Sequence, residues 1–250
     1  MTKLVKICGI KTVEAADKAI DSGADLLGMI LVPKRKRTID HEVAAQISLK
    51  VKQTRQSRHR KYQTIEEIQK QIAQIEVKDS KEYFQIISQL LIDNGPFLVG
   101  VFRNQSIEDV LEIAHKLQLD FIQLHGSENK IEYSKSIPHQ FGVIPRYVIP
   151  EQTELMPIEF QKFIELKTVG LPLLDSDAGG EGKVIDWVFI NEHLGFSNFI
   201  LAGGLNPTNL KDTTSIKNII GYDVSGGVED ENGDKDFQEI ENFIKVGKTV

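Results

Sequence analysis

Cys8 is the only cysteine of the chain, and it closes a short apolar run, KLVKICGIK, just before a glycine. A thiol at a strand end can be inert packing, since free cysteine behaves as a small hydrophobe. As a thiolate it can also take a proton. Asp175 stands in a comparable place: LPLLD carries an apolar strand into a carboxylate with no polar residue leading up to it. Burial there costs desolvation, which raises a carboxyl pKa toward the range of a useful acid. Two such groups facing each other over a phosphorylated molecule would form a general-acid and general-base pair. Paired glycines supply the phosphate side, Gly203-Gly204 in LAGGLNP and Gly226-Gly227 in DVSGGVE. Glycine lets backbone N–H groups approach an oxyanion, and a following helix N-terminus adds partial positive charge. Either pair alone could be only a tight strand-to-helix turn. Arg37 in PKRKRTI, His125 in QLHG, Arg146 in IPRYV and Asp223 in GYDVS complete the polar strand ends. Asp223 reads as a residue that orders its loop through backbone hydrogen bonds, and His125 as one that hydrogen-bonds between loops.

Such groups need elements that bring many strand ends together. Apolar runs begin near residues 4, 26, 97, 121, 142, 168, 198 and 219. Most are too continuous for one-sided strands and suit a parallel sheet covered on both faces. Helix signals lie between them. Thr12 can cap a helix with Val13, Ala16 and Ile20 on one stripe, stopped by Gly23. Ser106 precedes Ile107, Val110, Leu111 and Ala114; Asn206-Pro207 pairs a cap with proline at the first helical position. Asp236 and Glu239 have capping-box spacing. Eight strands alternating with helices predict an α/β fold, a single (β/α)8 barrel over residues 1–250. An open doubly wound sheet is the alternative, but CGIKTV lacks the glycine-rich turn such a sheet carries after its first strand. In barrels of this type the site lies at the C-terminal strand ends, and phosphate often rests on the loops after strands seven and eight, where both glycine pairs fall.

The long gap between the second and third runs predicts an insertion over about residues 50–96. KVKQTRQSRHRK at 50–61 reads as an exposed basic loop, and deleting residues 52–62 is expected to spare catalysis. Thr64 and Glu67 then have capping-box spacing, and a second helix is expected from Ser80 to about Leu91. A third glycine cluster, DAGGEGK at 177–183, could form a flap over the barrel mouth.

At 250 residues and 40% hydrophobic, the chain can bury one substantial core. Its net charge of −6 argues against a nucleic-acid partner. No run of 18 apolar residues calls for a membrane, and a single cysteine suits a reducing, cytoplasmic setting. The six histidines show no metal-ligand spacing, so no metal is expected. A monomer acting on a small phosphorylated molecule is the expectation.

KICGI, the P-x-x-x-R of PKRKR, VGVF, QLHGSE, LLDSDAGGEGKVIDW, LAGGLNPTN and DVSGGVE followed by KD resemble the phosphoribosylanthranilate isomerase family of tryptophan biosynthesis. VGVFRNQ, RKRTID, DVSGGVE and the enlarged segment before VGVF are similar to its fungal, yeast-type branch. The resemblance implies an Amadori rearrangement, N-(5-phosphoribosyl)anthranilate becoming 1-(2-carboxyphenylamino)-1-deoxyribulose 5-phosphate, with no cofactor. It implies that Cys8 is the general base, Asp175 the general acid and Arg37 the receiver of the anthranilate carboxylate. The expected substrate-binding set is Arg37, His125, Gly203, Gly204, Asp223, Gly226 and Gly227. Lys6, two residues before Cys8 on the same strand face, is a candidate to help the thiol ionise, and could equally fill the barrel interior. Three residues depart from the common family pattern: Arg35 where serine is frequent, Gly226 where many members have a second serine, and Arg146 where lysine is frequent. A sister barrel such as indole-glycerol-phosphate synthase would need a lysine acid near strand two. A pentose-phosphate epimerase would need metal-binding histidines on successive strands. Neither set is present. A non-catalytic barrel that binds a phosphorylated metabolite would leave Cys8 and Asp175 dispensable.

Overall fold

The computed structural model describes residues 2–166, 168–176, 186–195 and 197–250. Eight parallel strands close into a barrel in chain order: β1 (Leu4–Ile7), β2 (Leu26–Ile30), β3 (Phe97–Phe102), β4 (Phe121–Leu124), β5 (Gly142–Val148), β6 (Leu173–Asp175), β7 (Phe199–Leu201) and β8 (Ile219–Val224). The expected (β/α)8 barrel is therefore the fold. Helices α1 (Val13–Ser22), α2 (His41–Ser57), α3 (Ile65–Ala73), α4 (Ser80–Asn94), α5 (Ile107–Lys116), α6 (Lys130–Ser136), α7 (Leu155–Glu165), α8 (Trp187–Leu194) and α9 (Phe237–Gly247) lie between and after the strands. Strand residues are buried almost throughout, which is why the runs show little polar alternation.

Local signals set the helix ends. The Thr12 hydroxyl accepts from Ala15 N–H, and Gly23 ends α1 in the left-handed region at φ 96°. Ser106 accepts from Asp109 N–H, and Asp236 accepts from Gln238 and Glu239 N–H. At α3 the Thr64 and Glu67 side chains exchange bonds in a complete capping box. Two expectations shift. β6 starts at Leu173 rather than 168, because Pro172 has no N–H for the ladder; before it only the isolated bridge Val143–Gly170 forms. After Asn206-Pro207 the chain forms a 3-10 helix, Leu210–Ser215, instead of an α-helix. The Asn206 side chain accepts from Thr208 and Asn209 N–H in the turn ahead of that helix and does not cap the helix itself, while Thr213 and Thr214 hydroxyls bond back to Leu210 and Lys211 carbonyls and compete with an α ladder.

The basic run is not a loop. Residues 50–57 are the last turns of α2, and Arg55 is buried. Its guanidinium forks onto Asp120 at 2.8 and 3.1 Å, donates to Pro96 O at 2.8 Å and lies 4.9 Å from the Phe97 ring centroid. Composition misled here because one arginine in a solvated run turns inward while its neighbours do not. Beyond α2, α3 and α4 form the insertion. The α4 helix touches β1 and β8, and its Tyr83 hydroxyl donates to Thr168 O and accepts from Gly170 N–H on the approach to β6. Phe84 stacks near Phe160 of α7, with centroids 4.8 Å apart. Thr168 and Gly170 precede the start of β6, so α4 lies at the barrel end opposite the mouth.

Candidate active site

Strand alternation decides which side chains enter the barrel. On β1 a methyl of Val5 lies 3.1 Å from where a Cβ on Gly247 of α9 would stand, so Val5 faces the helices. Lys6 and Cys8 consequently face inward. Lys6 is fully buried, stands opposite Asp223 of β8 in register, and donates to its Oδ1 at 2.8 Å. Burial alone would lower the Lys6 pKa, but Asp223 and Cys8 outweigh it and hold the ammonium charged. Cys8 continues the ladder through its N–H to Val224 O, at 2.8 Å. Burial pushes the thiol pKa up; Lys6 pulls it back, Asp223 adds to the rise, and Lys235 pulls more weakly down. Gly28 of β2 makes room for the group: a Cβ there would stand 2.8 Å from Cys8 Sγ and 3.1 Å from Lys6 Nζ.

Asp175 ends β6 opposite Val148 of β5 and is met by the side chain of Arg146, two residues before Val148 on the same strand face; Tyr147 between them turns outward to Lys130 of α6, so Arg146 and Asp175 lie on the inner face. Arg146 Nε lies 3.3 Å from Asp175 Oδ2, and Ser176 N–H donates to Oδ1 at 2.8 Å. Burial raises the Asp175 pKa, Arg146 opposes the rise, and Asp223 adds to it. Arg146 also donates to the His125 and Ser176 carbonyls, so it ties the ends of three strands together. Cys8 and Asp175 thus both occupy the C-terminal inner rim, and the charge of Asp223 is felt by each.

The other expected residues fall as follows. Asp223 does not order its loop through backbone bonds; its carboxylate goes to the Lys6 ammonium, because an interior ammonium needs a counter-charge. His125 bridges through its main chain, donating to Phe102 O and accepting from Arg146. Burial, helped by Arg146, Lys6 and Arg103, pushes its imidazole down to about 3, so the ring is neutral near pH 7. Gly203 and Gly204 hold φ of 80° and 69°, conformations that favour glycine. A Cβ on Gly227 would lie 1.9 Å from Leu205 O, so the loops after β7 and β8 are in direct contact. Gly226 opens the 3-10 turn Gly226–Val228 beside them. Arg37 reaches the same rim and donates to Glu229 Oε2 at 2.8 Å. The glycine cluster 177–183 lies outside the described residues.

Sequence reasoning gave no role to Glu229, Lys235, Gly28 or Gln123. Glu229 and the lysine of KD stood inside recognised motifs, and a charged pair six residues apart carries no signal of its own. Gln123 Oε1, Ser176 Oγ and Ser225 Oγ are buried with no hydrogen-bond partner among the described residues, and all three lie at C-terminal strand ends. An unmet buried polar atom costs about 1–3 kcal/mol, a cost a polar ligand at the mouth would offset. Among the described residues no group of three His, Cys, Asp or Glu side chains could hold a metal ion. No described helix is long and apolar enough to cross a membrane.

Comparison with known proteins places this rim in context. A family model described as N-(5'-phosphoribosyl)anthranilate (PRA) isomerase matches residues 51–246. The chain is 52% identical over 245 residues to N-(5'-phosphoribosyl)anthranilate isomerase of Candida albicans, covering 98% of this chain and 97% of that one. It superposes on the crystal structure of phosphoribosyl anthranilate isomerase from Thermotoga maritima with TM-score 0.72 and 30% identity, covering 99% and 100% of the two chains. A further crystal structure, phosphoribosyl anthranilate isomerase in complex with reduced 1-(o-carboxyphenylamino)-1-deoxyribulose 5-phosphate, matches with TM-score 0.69 and 29% identity over 99% and 100%.

Proposed function

The chain belongs to the N-(5'-phosphoribosyl)anthranilate isomerase family, and from that premise we propose that Cys8 and Asp175 are its catalytic base and acid. As a member it isomerises N-(5'-phosphoribosyl)anthranilate in tryptophan biosynthesis. Asp175 gives its proton to the ribose ring oxygen while the bond from that oxygen to C1′ breaks. The lone pair of the anthranilate nitrogen moves into a C1′=N bond, leaving an open-chain iminium. The Cys8 thiolate then takes the C2′ proton, and the freed electron pair forms C1′=C2′ and neutralises the nitrogen. The resulting enolamine takes a proton at C1′ and releases the one on the C2′ hydroxyl, giving the aminodeoxyketose. The iminium serves as its own electron sink, so the steps balance without a cofactor.

The observation that carries this reading is the shared inner rim: a thiol backed by a charged ammonium and a buried carboxyl, both under the field of Asp223. The phosphate would lie on the Gly203-Gly204 and Gly226-Gly227 loops, supported by their contact and by the two left-handed glycines. Arg37 would meet the anthranilate carboxylate, and His125 and Asp223 would line the sugar. Residues 1–250 act as one domain, with about 50–96 as its elaboration. Because every group assigned comes from one chain, a monomer suffices; equilibrium sedimentation would test it. Cytoplasmic residence fits the free, buried thiol. The decisive experiment follows the loss of anthranilate-type fluorescence on turnover. Cys8→Ala and Asp175→Asn should each lower kcat by about 10² or more, with a smaller change in KM. Near wild-type turnover in either variant overturns that residue's role.

A further inference from the structure

Glu229 follows the turn after β8, and its side chain is only 8% exposed. Its two oxygens serve different cations. Oε2 accepts from Arg37 at 2.8 Å, and Oε1 accepts from Lys235 Nζ at 2.9 Å. Lys235 is anchored in turn, donating to Ser225 O at 2.9 Å with its side chain 3% exposed. The main chain fixes both ends. Glu229 and Lys235 face each other across an antiparallel bridge, and Glu229 N–H donates to Gly226 O. The whole cluster abuts the residue after Cys8: a Cβ on Gly9 would stand 3.4 Å from Lys235 Nζ and 3.8 Å from Glu229 Oε1. Arg37, by contrast, leaves 29% of its side chain exposed at the rim. A long guanidinium arm left free would have to be ordered when it met a ligand, at a cost to binding. Here one of its N–H groups is already held, and the remaining fork points are set by where Glu229 stands.

We propose that Glu229 is a positioning residue for this reaction, an anchored carboxylate that Lys235 fixes in place and that in turn aims Arg37 at the carboxylate of the substrate's aromatic ring. The inference rests on the reading of Arg37 given above and goes beyond it in naming what makes that arginine selective. It gives the enzyme a preference for an ortho-carboxylated aryl amine over the bare amine. The preference comes from a three-membered relay, Lys235 to Glu229 to Arg37, in which only the last member touches substrate.

The test compares two substrates, N-(5'-phosphoribosyl)anthranilate and N-(5'-phosphoribosyl)aniline, which lacks the carboxylate. The ratio of their kcat/KM values measures what the carboxylate contributes. Arg37→Ala should collapse that ratio. Glu229→Gln, which keeps shape and one acceptor but loses the charge, should lower the ratio about tenfold, as loss of a charge-assisted bond implies. The loss should appear mainly as a higher KM for the carboxylated substrate rather than a lower kcat. Lys235→Met should act in the same direction, and combining it with Glu229→Gln should add little, because members of one relay are not independent. A general structural defect would lower both substrates together and leave the ratio alone. An unchanged ratio in Glu229→Gln, with a collapsed ratio in Arg37→Ala, overturns the relay and leaves the arginine reading intact. An unchanged ratio in Arg37→Ala overturns that reading and the relay with it. Should Glu229→Gln fail to fold, by circular dichroism, Lys235→Met decides by the same ratio.

Discussion

Burial raises the proton affinity of both Cys8 and Asp175. The reactive form, thiolate with protonated acid, holds one proton between the two groups, and its share of that singly protonated pair does not change with pH. The kcat/KM profile should therefore be a bell, rising as the pair loses its first proton and falling as it loses its second. Removing the acid gives a sharp sign test. In Asp175→Asn the residual activity needs only the thiolate, so the falling limb should vanish and leave a single rise at the Cys8 value. A falling limb that survives the substitution would assign it to another group. His125, neutral across this range with its imidazole pushed down to about 3, contributes neither limb. At this scale the sequence was informative about the pair, because a cysteine and an aspartate each ended an apolar run. It was silent about Gly28, whose role depends on a neighbouring strand 20 residues away in the chain bringing its backbone against the Cys8 sulfur.

Helix α2 shows how an element can be half legible. Its Asp40 cap, accepting from Glu42 and Val43 N–H, is a local feature, but its C-terminal turns depend on a partner 65 residues on. The basic run looked like solvent-facing coil because charge is read without knowing which side chain is paired. Deleting residues 52–62 would accordingly remove the end of a packed helix and not a loose loop. Arg55→Met should leave Asp120 buried without its guanidinium and destabilise the fold by about 3–5 kcal/mol. Urea denaturation followed by circular dichroism measures it, and a loss below about 1 kcal/mol, the range of a surface ion pair, would contradict the buried role. By contrast, the Thr64–Glu67 capping box and the Gly23 stop were readable because both partners lie within one helical turn. β6 was misplaced by the same locality: TVG is apolar enough for a strand, and only the lack of an amide at Pro172 delays it.

For the whole molecule, the barrel separates stability from chemistry along its axis. The rim carries the polar and glycine-rich groups, while α4 covers the opposite end with Tyr83, Phe84, Ile87 and Leu91. Phe84→Ala should lower stability by about 3–5 kcal/mol through the cavity it leaves. Where the variant remains folded, KM and kcat should match the wild type, and a changed KM would mean that the two ends communicate. The alternation of strand and helix was legible over nearly the whole chain, since each unit carries its own period and caps. The placing of α4 was not, because nothing in an amphipathic helix names the surface it will cover. Finally, Gly227 packs against the main chain at Leu205 so tightly that not even a methyl group fits between them. Neither of the last two loops can be exchanged on its own: a graft that adds bulk to one needs matching slack in the other. In transplanting this end of the barrel, or in following its drift between lineages, the two loops travel as one cassette.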